Sequence, residues 1–174
     1  MSWTFLHNAP DKRQVIETCT KGSYKLKCIM KAVHGNHLWT VWQDSVTKNK
    51  SIVLFLLGKD HGCWGYKDIT EHMGPSYYDC PLSFFDEVPE PESNSAPTCP
   101  FVYSVSWREK VRAYHFKEKE RRTHLKNLAV GSMVRLVDGY KPSVLRITST
   151  DPLRGTSPEG DLYRIPKTRI AEVL

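Results

Sequence analysis

The sequence predicts an α+β protein, with an N-terminal helix packed on an antiparallel sheet, a connecting basic helix and a C-terminal small SH3-like β-barrel. Its 174 residues suffice for one domain or two small ones. Short segments of alternating apolar and polar residues recur between turn-forming residues, which is typical of antiparallel strands. A proline-rich acidic stretch separates the two halves. We therefore expect four parts: a first module at 1–85, a linker at 86–105, a basic helix at 106–127 and the barrel at 128–174.

The first module starts with a short amphipathic helix. Asp11 is a helix-capping residue placed directly before 12–19, and Gly22 follows the helix as a stop signal. Three strand candidates come next, at 24–33, 38–46 and 51–57. The first two alternate between apolar and polar residues, whereas the third contains a continuous apolar run, which predicts the central strand. The pattern predicts a helix on a three-stranded sheet.

A linker and a basic helix follow. Residues 86–100 carry four prolines and four acidic residues, a composition typical of a surface linker. Ser106 and Glu109 form a capping-box pattern, which predicts a helix that starts there and runs to about Lys126. Its apolar positions are Trp107, Val111, Tyr114 and Leu125. The remaining positions predict a charged face of Arg108, Lys110, Arg112, Lys117, Lys119, Arg121 and Arg122.

The C-terminal part contains four strand candidates separated by turns, at 132–137, 143–148, 161–165 and 168–173. Short strands at this spacing predict the SH3-like barrel. Three of them place an arginine between apolar neighbours, at Arg135, Arg146 and Arg164. Because side chains alternate along a strand, the three arginines are expected to point outward together. They form either a phosphate-binding ridge or an ordinary solvated face.

Charge is segregated along the chain, which carries a formal net charge of +6. Residues 1–67 hold ten Lys and Arg against four Asp and Glu, residues 68–106 hold seven acidic residues and no Lys or Arg, and residues 107–126 hold eight basic against three acidic residues. The two signs either pair within the molecule or present two surfaces to a nucleic acid, a nucleoprotein or a protein partner.

The segment at 62–81, called here the signature segment, contains three glycines, two prolines, four aromatic residues and two cysteines. As a binding surface, its side chains would stack on bases or anchor a protein; the expected contacts are Trp64, Tyr66, Lys67, Asp68, Glu71, Tyr77 and Tyr78. Electrostatic attraction is assigned to Arg112, Arg121, Arg122, Arg135, Arg146 and Arg164. A purely structural role, in which the aromatic residues close the core and the carboxylates bond turn backbone, fits the same residues.

A catalytic role for this segment is the alternative. The acid–base candidates are Lys67, Asp68, Glu71 and His72, and the nucleophile candidates are Tyr66, Cys63 and Cys80. The chain has no Gly-rich phosphate loop, Gly-x-Ser-x-Gly turn or His-Glu-x-x-His pair. The sequence therefore favours a binding protein over an enzyme, with no cofactor.

The five cysteines form no CxxC pair, so the sequence indicates neither a disulfide framework nor a zinc ribbon. Reduced, mostly buried thiols are favoured over a metal site built from Cys63, His72 and Cys80. No apolar run approaches the roughly 18 residues that span a membrane, and the N-terminus lacks a cleavable apolar segment. We expect a cytoplasmic protein with no membrane partner.

The run Gly65-Tyr66-Lys67-Asp68, with Glu71, Met73-Gly74-Pro75 and Asp79-Cys80-Pro81, resembles the hallmark of an uncharacterised family of small proteins encoded on phages, plasmids and other mobile elements. The ends Met1-Ser2-Trp3-Thr4 and Gly160-Asp161-Leu162-Tyr163-Arg164-Ile165 are also similar to that family. The resemblance implies a mobile-element context, in which small accessory proteins counter host defence or manage the element's own nucleic acid.

The resulting prediction is a non-enzymatic accessory protein of a phage-type mobile element in a bacterial host. It would bind nucleic acid or a host nucleoprotein and inhibit a host defence of the CRISPR or restriction type. The alternative is a small enzyme acting on a nucleic-acid or nucleotide substrate, with its acid–base residues in the signature segment.

Overall fold

The chain folds into a mixed α+β protein with two antiparallel sheets. The computed structural model describes residues 11–58, 63–68, 77–90 and 99–174, and only the backbone of 64–68 and 99–103. Within these ranges the helices are α1 (Lys12–Thr20), α2 (Ser83–Glu87) and α3 (Cys99–Lys126). The strands are β1 (Leu26–His34), β2 (His37–Asp44), β3 (Lys50–Leu57), β4 (Cys63–Asp68), β5 (Met133–Leu136), β6 (Val144–Thr150), β7 (Leu153–Thr156), β8 (Leu162–Arg164) and β9 (Ile170–Val173). Two compact units divide the chain, Met1–Tyr114 and His115–Leu174.

The first unit is built around a sheet with strand order β1-β2-β3-β4. Strand β3 pairs on both sides, as its continuous apolar run predicts. Ile52 and Leu54 point to one face of the sheet, and Val53 and Phe55 point to the other. Both faces are therefore buried, which explains why this strand lacks alternation.

Helical elements cover both faces of this sheet. On one face a first core joins Trp39 and Leu54 to side chains of α2 and α3, including Phe84 and Trp107. On the other face a second core joins β2, β3 and β4 to α1. The predicted start of α1 is confirmed, since the Asp11 carboxylate accepts a hydrogen bond from the Gln14 backbone N–H at 2.8 Å.

The signature segment begins with a strand that the predicted three-stranded sheet did not include. Residues 63–68 form β4, which pairs antiparallel with β3 and makes the sheet four-stranded. Gly65 and the polar residues reduce strand propensity locally. Pairing with the apolar strand β3 overrides that local preference.

The basic helix begins seven residues earlier than its sequence pattern indicates. Helix α3 starts at Cys99, so Ser106 and Glu109 lie within it and form no capping box. Pro100 fits the first turn, where a missing N–H costs no helical hydrogen bond. Ser104 is fully buried, so tertiary packing extends to the added turns. Helix α2 and the start of α3 also occupy both ends of the predicted linker.

The second unit carries a five-stranded antiparallel sheet in the order β8-β7-β6-β5-β9. Its core contains Val134, Leu136, Leu145 and Ile147, with Leu125 of α3 packed against it. The strands form an open sheet; in the described residues no pairing between β8 and β9 closes it into a barrel.

Strand β7 was missed because Asp151-Pro152 and Ser157-Pro158 flank it with turn signals. It pairs with β6 and β8. Gly155 faces the core, where a Cβ atom would lie 2.9 Å from both the Arg146 carbonyl oxygen and Ile165 Cδ1. The residue that weakens the strand pattern is thus the one that lets the strand approach its neighbours closely. No described helix is long and apolar enough to cross a membrane.

Candidate functional site

The first half of the signature segment lies on an edge strand of the first sheet. Tyr66, Lys67 and Asp68 are opposite Phe55, Leu54 and Val53 of β3, and Trp64 lies at a register shift between the two strands. Glu71 and His72 lie outside the described residues.

The second half of the segment crosses one face of the same sheet. Tyr77 and Tyr78 are half-buried against the first core. The Tyr77 carbonyl oxygen accepts a 2.7 Å hydrogen bond from Trp107 Nε1, and Trp107 stacks on Trp39 with ring centroids 5.9 Å apart. The two tyrosines thus have structural contacts, in addition to the binding role expected of them.

Asp79 connects this segment to the β1–β2 hairpin. Its Oδ2 lies 2.8 Å from His37 Nδ1, and its Oδ1 accepts a hydrogen bond from Trp39 Nε1 at 3.3 Å. Its backbone carbonyl oxygen lies 2.8 Å from His34 Nδ1. About one-fifth of the His37 and Asp79 side chains is exposed to solvent. Sequence reasoning missed this cluster, because Asp79 lies 45 residues from His34 and 42 residues from His37 along the chain.

The structure contradicts the metal site proposed from Cys63, His72 and Cys80. Cys63 lies in the second core beside Cys19, whereas Cys80 lies in the first core on the opposite face of the sheet. Burial raises the pKa of the Cys80 thiol, and the neighbouring Cys63 together with burial raises the pKa of Cys19. The described residues contain no group of three or more His, Cys, Asp or Glu arranged to hold a metal ion.

Three of the cations expected on the basic helix, Arg112, Arg121 and Arg122, pair with carboxylates. Arg112 donates to Glu90 at 2.7 Å. The Glu118 carboxylate accepts hydrogen bonds from Arg121 at 2.8 Å and from Arg122 at 3.0 Å. The hydrogen bonds from Arg121 are the main reason that the pKa of Glu118 is lowered to about 2. These intramolecular pairs reduce the positive field of α3.

Arg108 was predicted on the exposed charged face of this helix, and that prediction was wrong. Its side chain is 1% exposed and lies over the Phe85 ring, 4.6 Å from the centroid. Nη2 donates to the Pro89 carbonyl oxygen at 3.1 Å. Trp107 and Val111 are buried on the same helix, and Arg108 follows them into the first core because its long apolar stem packs there.

The outer face of the second sheet carries a row of arginines, called here the arginine face (Arg135, Arg146, Arg154 and Arg164). Arg146 pairs with Met133, two residues from Arg135 on the same side of β5. Arg154 is the register partner of Arg164. Thr156, which lies two residues from Arg154 on the same side of β7, is the register partner of Arg146. All four are exposed, while their apolar neighbours Val134, Leu145 and Ile165 are buried.

Two members of the arginine face, Arg154 and Arg164, carry the same charge and lie directly opposite each other on β7 and β8. Cβ atoms of opposed residues on neighbouring antiparallel strands lie about 4.5–5.5 Å apart. Arg135 is paired with Glu172 across the strands at 3.0 Å. In the part of the chain that the structure describes, Arg146, Arg154 and Arg164 have no such carboxylate partner. Sequence reasoning missed Arg154 because it missed β7.

Comparisons with protein-family models, with curated proteins and with solved structures give no match.

Proposed function

We propose that the protein binds nucleic acid through the arginine face of the second sheet. The observation that carries this proposal is the cross-strand pair of Arg154 and Arg164, two exposed like charges with no described carboxylate between them. Like charges at opposed positions destabilise a sheet. An anionic ligand that bridges them converts this cost into binding energy.

Phosphate groups fit this arrangement. The guanidinium group of arginine presents a planar set of donors that matches phosphate oxygens. Arg146, Arg154 and Arg164, which have no carboxylate partner among the described residues, lie on adjacent strands. They can contact successive phosphates along one backbone, which gives affinity without sequence specificity. The second unit carries twelve Lys and Arg against seven Asp and Glu, so its overall field also attracts a polyanion.

The architecture proposed for this unit remains the SH3-like barrel. The last strand, β9, pairs beside β5, the first strand of the unit, after the 3₁₀ turn Lys167–Arg169. This strand order supports a small, strongly bent sheet of that kind. A bent sheet would present the arginines on its convex side.

The biological context is proposed from the resemblance of the signature segment. We infer an accessory protein of a mobile element that acts in the cytoplasm of a bacterial host. The ligand is then the element's nucleic acid or a host nucleoprotein, and inhibition of a host defence is the expected consequence. On this proposal the signature segment supplies the specific contacts and the arginine face supplies the electrostatic attraction.

The test is a salt titration of binding to fluorescein-labelled duplex DNA, single-stranded DNA and RNA, followed by anisotropy. A variant with Arg146→Gln, Arg154→Gln and Arg164→Gln should bind weakly. Its slope of log affinity against log salt should be smaller by about three, one for each lost phosphate contact.

The matched control removes three exposed lysines from the first unit, through Lys21→Gln, Lys27→Gln and Lys31→Gln. Like the arginine variant, it removes three positive charges, but none of them lies on the arginine face. Its slope of log affinity against log salt should therefore stay close to that of the wild type. Equal slopes for the two variants would mean that net charge alone drives binding. Absence of binding at low salt would refute the proposal and direct attention to a protein partner.

A further inference from the structure

Two histidines lie directly opposite each other at the end of the β1–β2 hairpin. His34 and His37 are register partners, joined by a two-residue turn in which Gly35 has φ +57°. This turn fixes the register and therefore the pairing. Directly opposed side chains point to the same face of a sheet, with Cβ atoms about 4.5–5.5 Å apart. The two side chains thus start from neighbouring positions on the face that Asp79 crosses.

Hydrogen bonds to Asp79 determine which nitrogen of each ring is protonated. His34 Nδ1 lies 2.8 Å from the Asp79 carbonyl oxygen, which can only accept, so Nδ1 must carry the hydrogen. His37 Nδ1 lies 2.8 Å from Asp79 Oδ2, and an ionised carboxylate likewise accepts. In the neutral form, both rings therefore keep their Nε2 lone pairs available.

We propose that His34 and His37 bind one divalent transition-metal ion of the Zn²⁺, Ni²⁺ or Cu²⁺ class through their Nε2 atoms. Imidazole nitrogen suits these ions. Metal-binding histidines generally donate their other N–H to a carboxylate or a backbone carbonyl. Asp79 supplies both of these acceptors, one to each ring, and so acts as a positioning residue. A purely structural role uses the Nδ1 atoms alone.

Access to solvent allows water to complete the coordination. His34 is exposed, and about one-fifth of the His37 side chain is accessible. The His37 ring packs at a steep angle against the Tyr77 ring, with centroids 5.0 Å apart. The two histidines would be the only protein ligands among the described residues, which contain no group of three or more arranged to hold a metal ion, and water would fill the remaining positions. The site belongs to the first unit and does not depend on nucleic-acid binding.

Isothermal titration of the full chain with Ni²⁺ tests the proposal. The wild type should bind one ion at this site, and His34→Ala and His37→Ala should each weaken binding at least tenfold. Asp79→Asn keeps both ligands but removes the carboxylate, so it should weaken binding about tenfold, the lower range for loss of such a partner. His124→Ala, an exposed histidine on α3, is the matched control and should leave the affinity unchanged.

A spectroscopic measurement separates metal binding from a structural role. ¹⁵N shifts of the imidazole rings should report Nδ1–H tautomers without metal, and the Nε2 signals of His34 and His37 should move when Zn²⁺ is added. His34 is exposed, so His34→Ala tests the proposal even if the other variants unfold. Wild-type Ni²⁺ affinity in folded His34→Ala, or Nε2–H tautomers in the metal-free protein, would overturn it.

Discussion

Arg108 places a positive charge inside the first core with few polar partners. Its Nη2 bonds the Pro89 carbonyl oxygen and its plane lies over Phe85, but Nε has no acceptor among the described residues. Burial is the main reason that the pKa of this guanidinium is lowered. The charge is costly to desolvate, whereas the apolar stem and the stacking contact are favourable.

Substitutions at Arg108 should separate the cost of the charge from the value of its packing. Arg108→Met keeps most of the side-chain volume, so the free energy of unfolding should change by less than about 1 kcal/mol. Arg108→Ala leaves a cavity beside Phe85 and should lower it by about 2–4 kcal/mol. Urea unfolding of both variants provides the measurement. Equal losses in the two variants would mean that the charge itself stabilises the core.

At the scale of elements, the pairing of β7 with β8 places two like charges opposite each other at the surface, which destabilises the sheet. Arg154 faces Arg164 across these strands, while on β5 and β9 of the same sheet Arg135 faces Glu172. On the outer face of this sheet, the pair of Arg154 and Arg164 is thus repulsive, whereas the pair of Arg135 and Glu172 is attractive. A structural role of the face does not explain the repulsive pair of Arg154 and Arg164.

The two pairs predict opposite effects of the same substitution. Arg154→Gln removes a repulsion and should raise the free energy of unfolding by about 0.2–1 kcal/mol. Arg135→Gln removes an attraction and should lower it by a similar amount, about 0.2–1 kcal/mol. Thermal or urea unfolding at low salt measures both. If Arg154→Gln also loses nucleic-acid affinity, the arginine at this position lowers stability while it supports binding. A lower free energy of unfolding in Arg154→Gln would contradict the assigned repulsion.

At the scale of the whole molecule, the first unit is organised by one sheet that is buried on both faces. Val111 of α3 is buried in the first core, and Val15 of α1 is buried in the second core. The two cores are separated only by the strands that contribute side chains to both. Loss of packing on one face should therefore be felt by the helix on the other face.

Hydrogen exchange tests this coupling. Val111→Ala removes buried methyl groups and should lower the stability of the first unit by about 2 kcal/mol. Exchange of the protected amides should become faster in α1 as well as in β2 and β3, since they unfold as one cooperative unit. Lys110→Ala, at an exposed position of the same helix, is the control because it hardly changes helix propensity. Unchanged protection in α1 would show that its packing is independent of the opposite core.

Sequence pattern determined the features that depend on neighbouring residues. The capping of α1 by Asp11 is a contact over three residues, and the burial of β3 on both faces follows from its unbroken apolar run. The outward direction of Arg135 and Arg146 follows from the alternation of side chains along a strand. Each of these requires only local geometry, so they could be predicted without a fold.

The tertiary structure alone decided the features that join distant residues. It placed Asp79 against His37 across forty-two positions, paired Arg154 with Arg164, and separated Cys63 from Cys80 by the thickness of a sheet. It also drew Arg108 into the core and extended α3 beyond its apparent cap. Local preferences are worth about 1 kcal/mol each, whereas burial of several large side chains is worth more, so packing prevails where the two disagree.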